Sequence, residues 1–166
     1  MRHILAVAVV VLASGCAADG VDRYDGDGLV PGQTTRAEVE KAMGVPAEQR
    51  AGPAGETVLW YPRLPYGRVS YAARIGKDDK LIAVEQRLTK EYLSKLKPDV
   101  SRESDVRDLL GPPSRVDRFP RQKGNTWTYH AQGVQPQIIV TEFSEDGILR
   151  KAFMIDDPES RLPGRN

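Results

Sequence analysis

Residues 32–46 read GQTTRAEVEKAMGVP, and residues 99–113 read DVSRESDVRDLLGPP. Aligned on their glycines, Val39 falls on Val106, Met43 on Leu110, Gly44 on Gly111 and Pro46 on Pro113, a step of 67 residues. The same step carries Trp60 to Trp127 and Asp79 to Asp146, each aspartate in an acidic turn ahead of an apolar run. Separated landmarks at one gap-free step indicate an internal duplication. Two tandem units are expected, 31–88 and 89–157, with 158–166 as a C-terminal tail.

Each unit opens with an amphipathic helix. In the first, Thr35 and Glu38 have capping-box spacing, Val39, Ala42 and Met43 make the apolar stripe, and Gly44 with Pro46 ends the helix in a left-handed turn. In the second, Ser101 is the expected cap, Val106, Leu109 and Leu110 the stripe, and Gly111 followed by two prolines the stop. The second unit has an earlier helix over 90–97, capped by Thr89, with Tyr92, Leu93 and Leu96 facing a core. The first has only a tether there.

Strands are expected over 56–61, 68–75 and 81–88, then 126–131, 137–143 and 148–155, with a short one over 114–119. Asp146-Gly147 is a hairpin signal. Tight turns imply antiparallel pairing, so the fold class is α+β: two tandem helix-then-antiparallel-sheet units. A unit of about 60–70 residues is marginal alone, so the two should pack together. Equivalent Trp60 and Trp127 should occupy equivalent buried sites.

Composition narrows function by exclusion. Lys and Arg number 24 against 23 Asp and Glu, so no basic field invites nucleic acid. One cysteine forms no internal disulfide, redox pair or cysteine-rich zinc site, and His3 and His130 form no metal cage. His130 has no motif-level base or nucleophile beside it, so a structural role is expected. Asp78-Asp79 and Glu145-Asp146 read as solvated turn acids. Arg115, Arg118, Arg121 and Lys123 share one predicted hairpin, interrupted by Asp117, and read as its solvated face. DGDG at 25–28 fails the calcium-loop pattern, since its first and twelfth positions would be Arg23 and Thr34. No catalytic residue, metal or cofactor is expected, and the chain is read as not an enzyme. Tyr66, in the loop RLPYGR, is the candidate partner contact.

The first sixteen residues, MRHILAVAVVVLASGC, carry a positive start, an apolar run over 4–13 and small residues before Cys16. A membrane-spanning helix needs about 20 apolar residues, so this run suits a signal-peptide core. Ala13-Ser14-Gly15-Cys16 resembles a bacterial lipobox, which implies cleavage before Cys16 and acylation of its thiol and amine. The alternative is an ordinary secretory leader with a free cysteine. Ala17, where such lipoproteins carry Asp for inner-membrane retention, implies the outer membrane. Residues 1–15 are then the signal peptide and 16–30 the lipidated cysteine and flexible tether.

The order G-x-T, Val, L-G-x-P, W-x-Y, strand, turn, strand resembles the BamE-like (SmpA/OmlA) outer-membrane lipoprotein family. It reads GQTTRAEVEKAMGVP…WYP in the first copy and LLGPP…WTY…IIVTEFSEDGIL in the second. The tandem arrangement also resembles the β-lactamase inhibitor protein architecture. Those resemblances imply a lipid-anchored, periplasm-facing interaction module in outer-membrane assembly or envelope integrity. Its partners would be the membrane and an envelope or assembly protein, with no nucleic acid. The alternative is a lipid-anchored inhibitor or binder of a periplasmic hydrolase.

The leader carries the first testable outcome. Mass spectrometry of the mature protein should find Cys16 acylated at its N-terminus, and Cys16→Ser should leave the chain soluble or unprocessed. An unmodified thiol rejects the anchor.

Overall fold

The computed structural model describes residues 25–119 and 123–161. Cys16 and Arg121 therefore lie outside the described residues. The element order is α1 (Arg36–Met43), β1 (Glu48–Ala51), β2 (Thr57–Pro62), β3 (Ser70–Ile75), β4 (Leu81–Gln86), α2 (Lys90–Leu93), α3 (Glu103–Leu110), β5 (Arg115–Asp117), β6 (Thr126–Gln132), β7 (Pro136–Phe143) and β8 (Leu149–Asp156). A 3₁₀ turn follows at Pro158–Arg161. Strands β1–β4 form one four-stranded meander and β5–β8 another, each antiparallel in chain order. The fold is mixed α and β, dominated by strands.

Helix α1 starts as its sequence dictates. The Glu38 carboxylate accepts from the Thr35 N–H at 2.8 Å, and the Thr35 hydroxyl accepts from the Glu38 N–H at 3.4 Å. Helix α3 starts one residue later than Ser101. Arg102 is its cap residue, with its N–H donating to the Asp105 carboxylate at 2.8 Å, while the Ser101 hydroxyl accepts from the Lys97 N–H. Gly44 and Gly111 end the helices at φ 87° and 82°, with ψ near −170° and −163°. This is extended backbone at positive φ rather than the left-handed helical turn expected, and it equally favours glycine. Helix α2 is four residues long, shorter than the stretch 90–97, although Thr89 caps it and Leu96 joins the core. Strand β1, EQRA, was not expected. It has no β-branched or aromatic residue and exists because β2 pairs with it.

Helices and sheets make two cores. Val39 and Met43 of α1 pack on Leu59, Tyr61, Ala73, Ile75 and Leu81. Val106 and Leu110 of α3 pack on Trp127, Tyr129, Ile139, Phe143 and Leu149. Leu29, assigned above to a tether, packs against the first core as Leu96 packs in the second. The body thus begins earlier than residue 31.

The backbone shows where the duplication slips. Gly44 N–H bonds to Glu40 O as Gly111 N–H bonds to Arg107 O, a step of 67. Ala47 N–H bonds to Trp60 O, but Ser114 N–H bonds to Thr128 O, so the strand partner has moved by 68. Likewise Leu81 N–H meets Thr34 O and Leu149 N–H meets Ser101 O. The β5–β6 connection is therefore one residue longer than its β1–β2 counterpart. A one-residue slip turns every following side chain to the other face of a strand.

The expected equivalence of the tryptophans is corrected by that slip. Trp127 is the counterpart of Leu59 and lies in the core with α3, its ring 4.8 Å from that of Phe143. The counterpart of Trp60 is Thr128. Trp60 turns to the opposite, outer face of its sheet, with Val58 and Ala72, and is nevertheless fully buried. Asp79 corresponds to Gly147, not Asp146, and both occupy a positive-φ turn position.

What buries Trp60 is the end of α3. A Cβ built on Gly111 would overlap the Trp60 ring, whereas one built on Gly44 would meet nothing within 4 Å. The Arg107 guanidinium grips the Glu48 carboxylate at 2.6 and 2.9 Å, and Arg50 Nε donates to Asp108 at 2.6 Å. Arg107 holds the Glu48 carboxyl below its usual range against an opposing effect of burial.

Urea unfolding should separate the two glycines. Gly44→Ala meets only the backbone preference and should cost about 1–3 kcal/mol. Gly111→Ala adds overlap with Trp60 and should cost clearly more, while Trp60→Ala should cost about 3–5 kcal/mol. Equal effects of the two glycine changes would show that α3 does not close on Trp60.

Candidate functional site

Where the two sheets meet, the β2–β3 connection leans on the second sheet. This connection contains RLPYGR. It is closed internally by Arg63 N–H to Val69 O at 3.0 Å and Gly67 N–H to Arg63 O at 2.8 Å. Arg68 then fastens it outward. Its guanidinium donates to Gln137 O at 2.9 Å, Ala131 O at 3.4 Å and the Asp157 carboxylate at 2.5 Å. One side chain thus holds the hairpin loop to β6, β7 and the end of β8.

Asp157 is 5% exposed, so this is a nearly buried charge with its partner supplied. Burial alone pushes its carboxyl up. Hydrogen bonds from Arg68 and the Glu159 N–H oppose that, and the net shift is downward. The expected tail boundary fell just after this residue. Asp157 in fact belongs to the junction, and the chain continues into the 3₁₀ turn over 158–161.

Tyr66 stands at the tip of the clamped loop with 91% of its surface exposed. Its counterpart on the β6–β7 connection is Val134, also fully exposed. Both sheets therefore present an exposed side chain at the tip of this connection, Tyr66 from a longer loop that also exposes Leu64, and Val134 from a short one. Reading QGVQPQ with the corrected step of 68 would have found Val134 from Tyr66.

Beside this loop runs a cleft of about 270 Å³. Pro62, Leu64 and Val69 line it from the first sheet, and Pro112, Pro113, Ser114 and His130 from the second. The lining is mostly apolar, with Ser70, Tyr129, Ser114 and His130 as its polar residues, the composition of a recognition groove. Ser114 Oγ donates to Thr128 O at 2.7 Å and lies 2.9 Å from His130 Nδ1. A serine hydroxyl has one proton. With that proton on the Thr128 carbonyl, the ring Nδ1–H donates to the hydroxyl oxygen. In that arrangement the imidazole and the Thr128 carbonyl together hold the serine hydroxyl in place. Burial, and next the nearby Arg68 charge, lower the His130 pKa below the usual histidine range. The pairing of Ser114 with His130 was not visible in the sequence, because β5 and β6 bring together residues sixteen apart.

The basic hairpin is satisfied locally where it is described. Arg115 pairs with Asp117 at 2.7 Å, Arg118 donates to Asn125 at 2.7 Å, and Lys123 lies 3.8 Å from Glu145. Asp25 accepts from the Asp27 N–H in a turn. Among the described residues no group of three or more His, Cys, Asp and Glu could hold a metal ion, and no helix is long and apolar enough to cross a membrane.

Comparison with known proteins adds little to this geometry. No family model matches the chain, and no curated protein matches it. Among solved structures, the crystal structure of a DUF4309 family protein (YjgB) from Bacillus subtilis subsp. subtilis str. 168 is similar at 17% identity. The match covers 79% of this chain and 84% of that one, with a TM-score of 0.32. At that score it supports no argument about family or activity.

The imidazole should report this environment directly. Followed by NMR, His130 should titrate below 6.5, and the stability linked to it should be present above pH 6.5 and fall as pH drops through the lowered folded value. A His130 pKa above 6.5 would show that the ring is not held neutral in the cleft.

Proposed function

We propose that this chain is a non-enzymatic, lipid-anchored lipoprotein of the bacterial outer membrane, facing the periplasm and acting as a protein-interaction module in outer-membrane assembly or envelope integrity. The observation that carries the reading is Tyr66, 91% exposed on a loop that Arg68 clamps to the second sheet. An aromatic side chain presented on a loop with little conformational freedom can bury apolar area on a partner without the cost of ordering it. The mostly apolar cleft beside it offers a place for a partner's side chain.

The lipobox-like Ala13-Ser14-Gly15-Cys16 and Ala17 supply the anchor and the compartment in this reading. Two or more acyl chains hold a protein on a bilayer stably, where one holds it only marginally. The finer fold assignment is part of the proposal as well. We infer two BamE-like units, expected over 31–88 and 89–157 with the first reaching back to Leu29, in the tandem manner of the β-lactamase inhibitor protein. Support comes from α1 preceding β1–β4, from α2 and α3 preceding β5–β8, and from the repeated helix-to-strand hydrogen bonds.

The second reading, a lipid-anchored inhibitor or binder of a periplasmic hydrolase, is favoured by the same clamp, since an inhibitor enters an active site with a rigid loop. The two readings part over the tether. A module working among membrane partners needs attachment to raise its effective concentration there. An inhibitor cut free still reaches a soluble enzyme. In a strain whose deletion has a measurable envelope defect, a version beginning at Val21 should fold with an unchanged melting temperature yet fail to restore the envelope. Tyr66→Ala in the anchored chain should restore it partly. Full restoration by the untethered form, with loss of function in Tyr66→Ala, replaces the module with the inhibitor.

A further inference from the structure

We propose that copies of this chain associate head to tail. Helix α1 of one copy would dock on the outer face of the β5–β8 sheet of the next, as α3 docks on the β1–β4 sheet within each chain.

The internal junction defines the rule. Glu48 and Arg50 of β1 share a face with Trp60 and Val58, their direct strand partners. On that face they meet Arg107 and Asp108 of α3. Carried forward by one unit, the sheet side of this junction becomes Arg115 and Asp117 of β5, opposite Thr128 and Thr126. Carried back by one unit, the helix side becomes Glu40 and Lys41 of α1.

Every charge in this set is reversed. Glu48 facing Arg107 becomes Arg115 facing Glu40, and Arg50 facing Asp108 becomes Asp117 facing Lys41. Both ion pairs therefore survive the translation with their polarity exchanged. A helix carrying Arg-Asp suits only the first sheet, and a helix carrying Glu-Lys suits only the second. Complementarity of this kind selects a partner and suppresses wrong pairings.

The packing residues are consistent with an open counterpart of the same junction. Gly111 is buried against Trp60, while its counterpart Gly44 is exposed and a Cβ there would meet nothing. Val45, next to Gly44, is 94% exposed, and its counterpart Pro112 lines the cleft between the sheets. On the receiving sheet, Thr128 and Thr126, the counterparts of Trp60 and Val58, are already buried, and the apolar surface left open is Ile155, 44% exposed, with Val140 and Phe153 half-buried.

Nothing inside the chain has to be dismantled. Glu40 now pairs with Arg36 at 2.8 Å, and Arg115 with Asp117 at 2.7 Å. Within the internal junction Glu48 likewise keeps Arg50 at 3.5 Å while it holds Arg107. Such a contact joins two different surfaces of one molecule, so it is heterologous and extends beyond a dimer. It depends on neither the lipid nor Tyr66, so it can fail while the proposed function stands, and the reverse.

Sedimentation of the full chain carrying Cys16→Ser, over a range of concentrations, tests it. We expect species growing past the dimer. Glu40→Arg and Arg115→Glu should each weaken association about tenfold or more, with melting temperatures close to the parent's. Mixing the two variants, or combining them in one chain, should restore it. Lys41→Glu with Asp117→Lys is a second, independent swap with the same expected pattern. Three results overturn the proposal: a monomer at the highest soluble concentration, a closed dimer, or association indifferent to these charges, as contact through the apolar leader would be.

Discussion

The structure turns on the absence of a side chain at Gly111. Because that residue has no Cβ, the end of α3 lies directly on the Trp60 ring. Trp60 thereby becomes a core residue on a face that would otherwise be wet. Arg107 and Asp108, one turn back on the same helix, then meet Glu48 and Arg50 at ion-pair distance. Apolar burial supplies the drive, and the charges fix the position of helix on strand. Sheet one is covered on both sides as a result, by α1 on one and α3 on the other. Its second strand reads Val-Leu-Trp-Tyr without alternation, as a strand buried on both faces should. The matching strand in sheet two reads Thr-Trp-Thr-Tyr, also buried throughout, but with its aromatic residues turned to one core and threonines to the other face.

That junction also places the candidate site. With α3 seated on Trp60, Pro112 and Pro113 follow across the edge of sheet one and form one wall of the cleft. Arg68 reaches back from the first sheet to Asp157 and two carbonyls of the second. The two halves are thus tied twice, by a helix in one direction and by a loop in the other. Tyr66 is exposed because its loop is held from behind. Ser114 and His130 sit where both ties converge, and their hydrogen bonds are already used in holding the wall together.

Much of the local structure was legible in the residues alone. The capping box at Thr35 and Glu38, the apolar stripe through Val39 and Met43, the stops at Gly44 and Gly111, and every strand but β1 follow from spacing and turn chemistry. The exposure of Tyr66 followed from its place between Pro65 and Gly67. These are interactions between residues a few positions apart, and the chain carries them wherever it goes.

Facing across the junction was not legible, for a physical reason. One extra residue in the β5–β6 connection changes neither composition nor periodicity, yet it inverts which face of the strand each residue serves. Trp60 and Trp127 look alike along the sequence and lie on opposite sides of their sheets. Strand β1 has little propensity of its own and is held by β2. Arg68 meets Asp157 across 89 residues, and Ser114 meets His130 through strand pairing. The sequence by itself determined the helices and turns, most of the strands, and the residues able to bury or bear charge. Only the tertiary structure decided which face of each strand meets which helix, because that depends on register and on contact between distant segments, and no local preference encodes either.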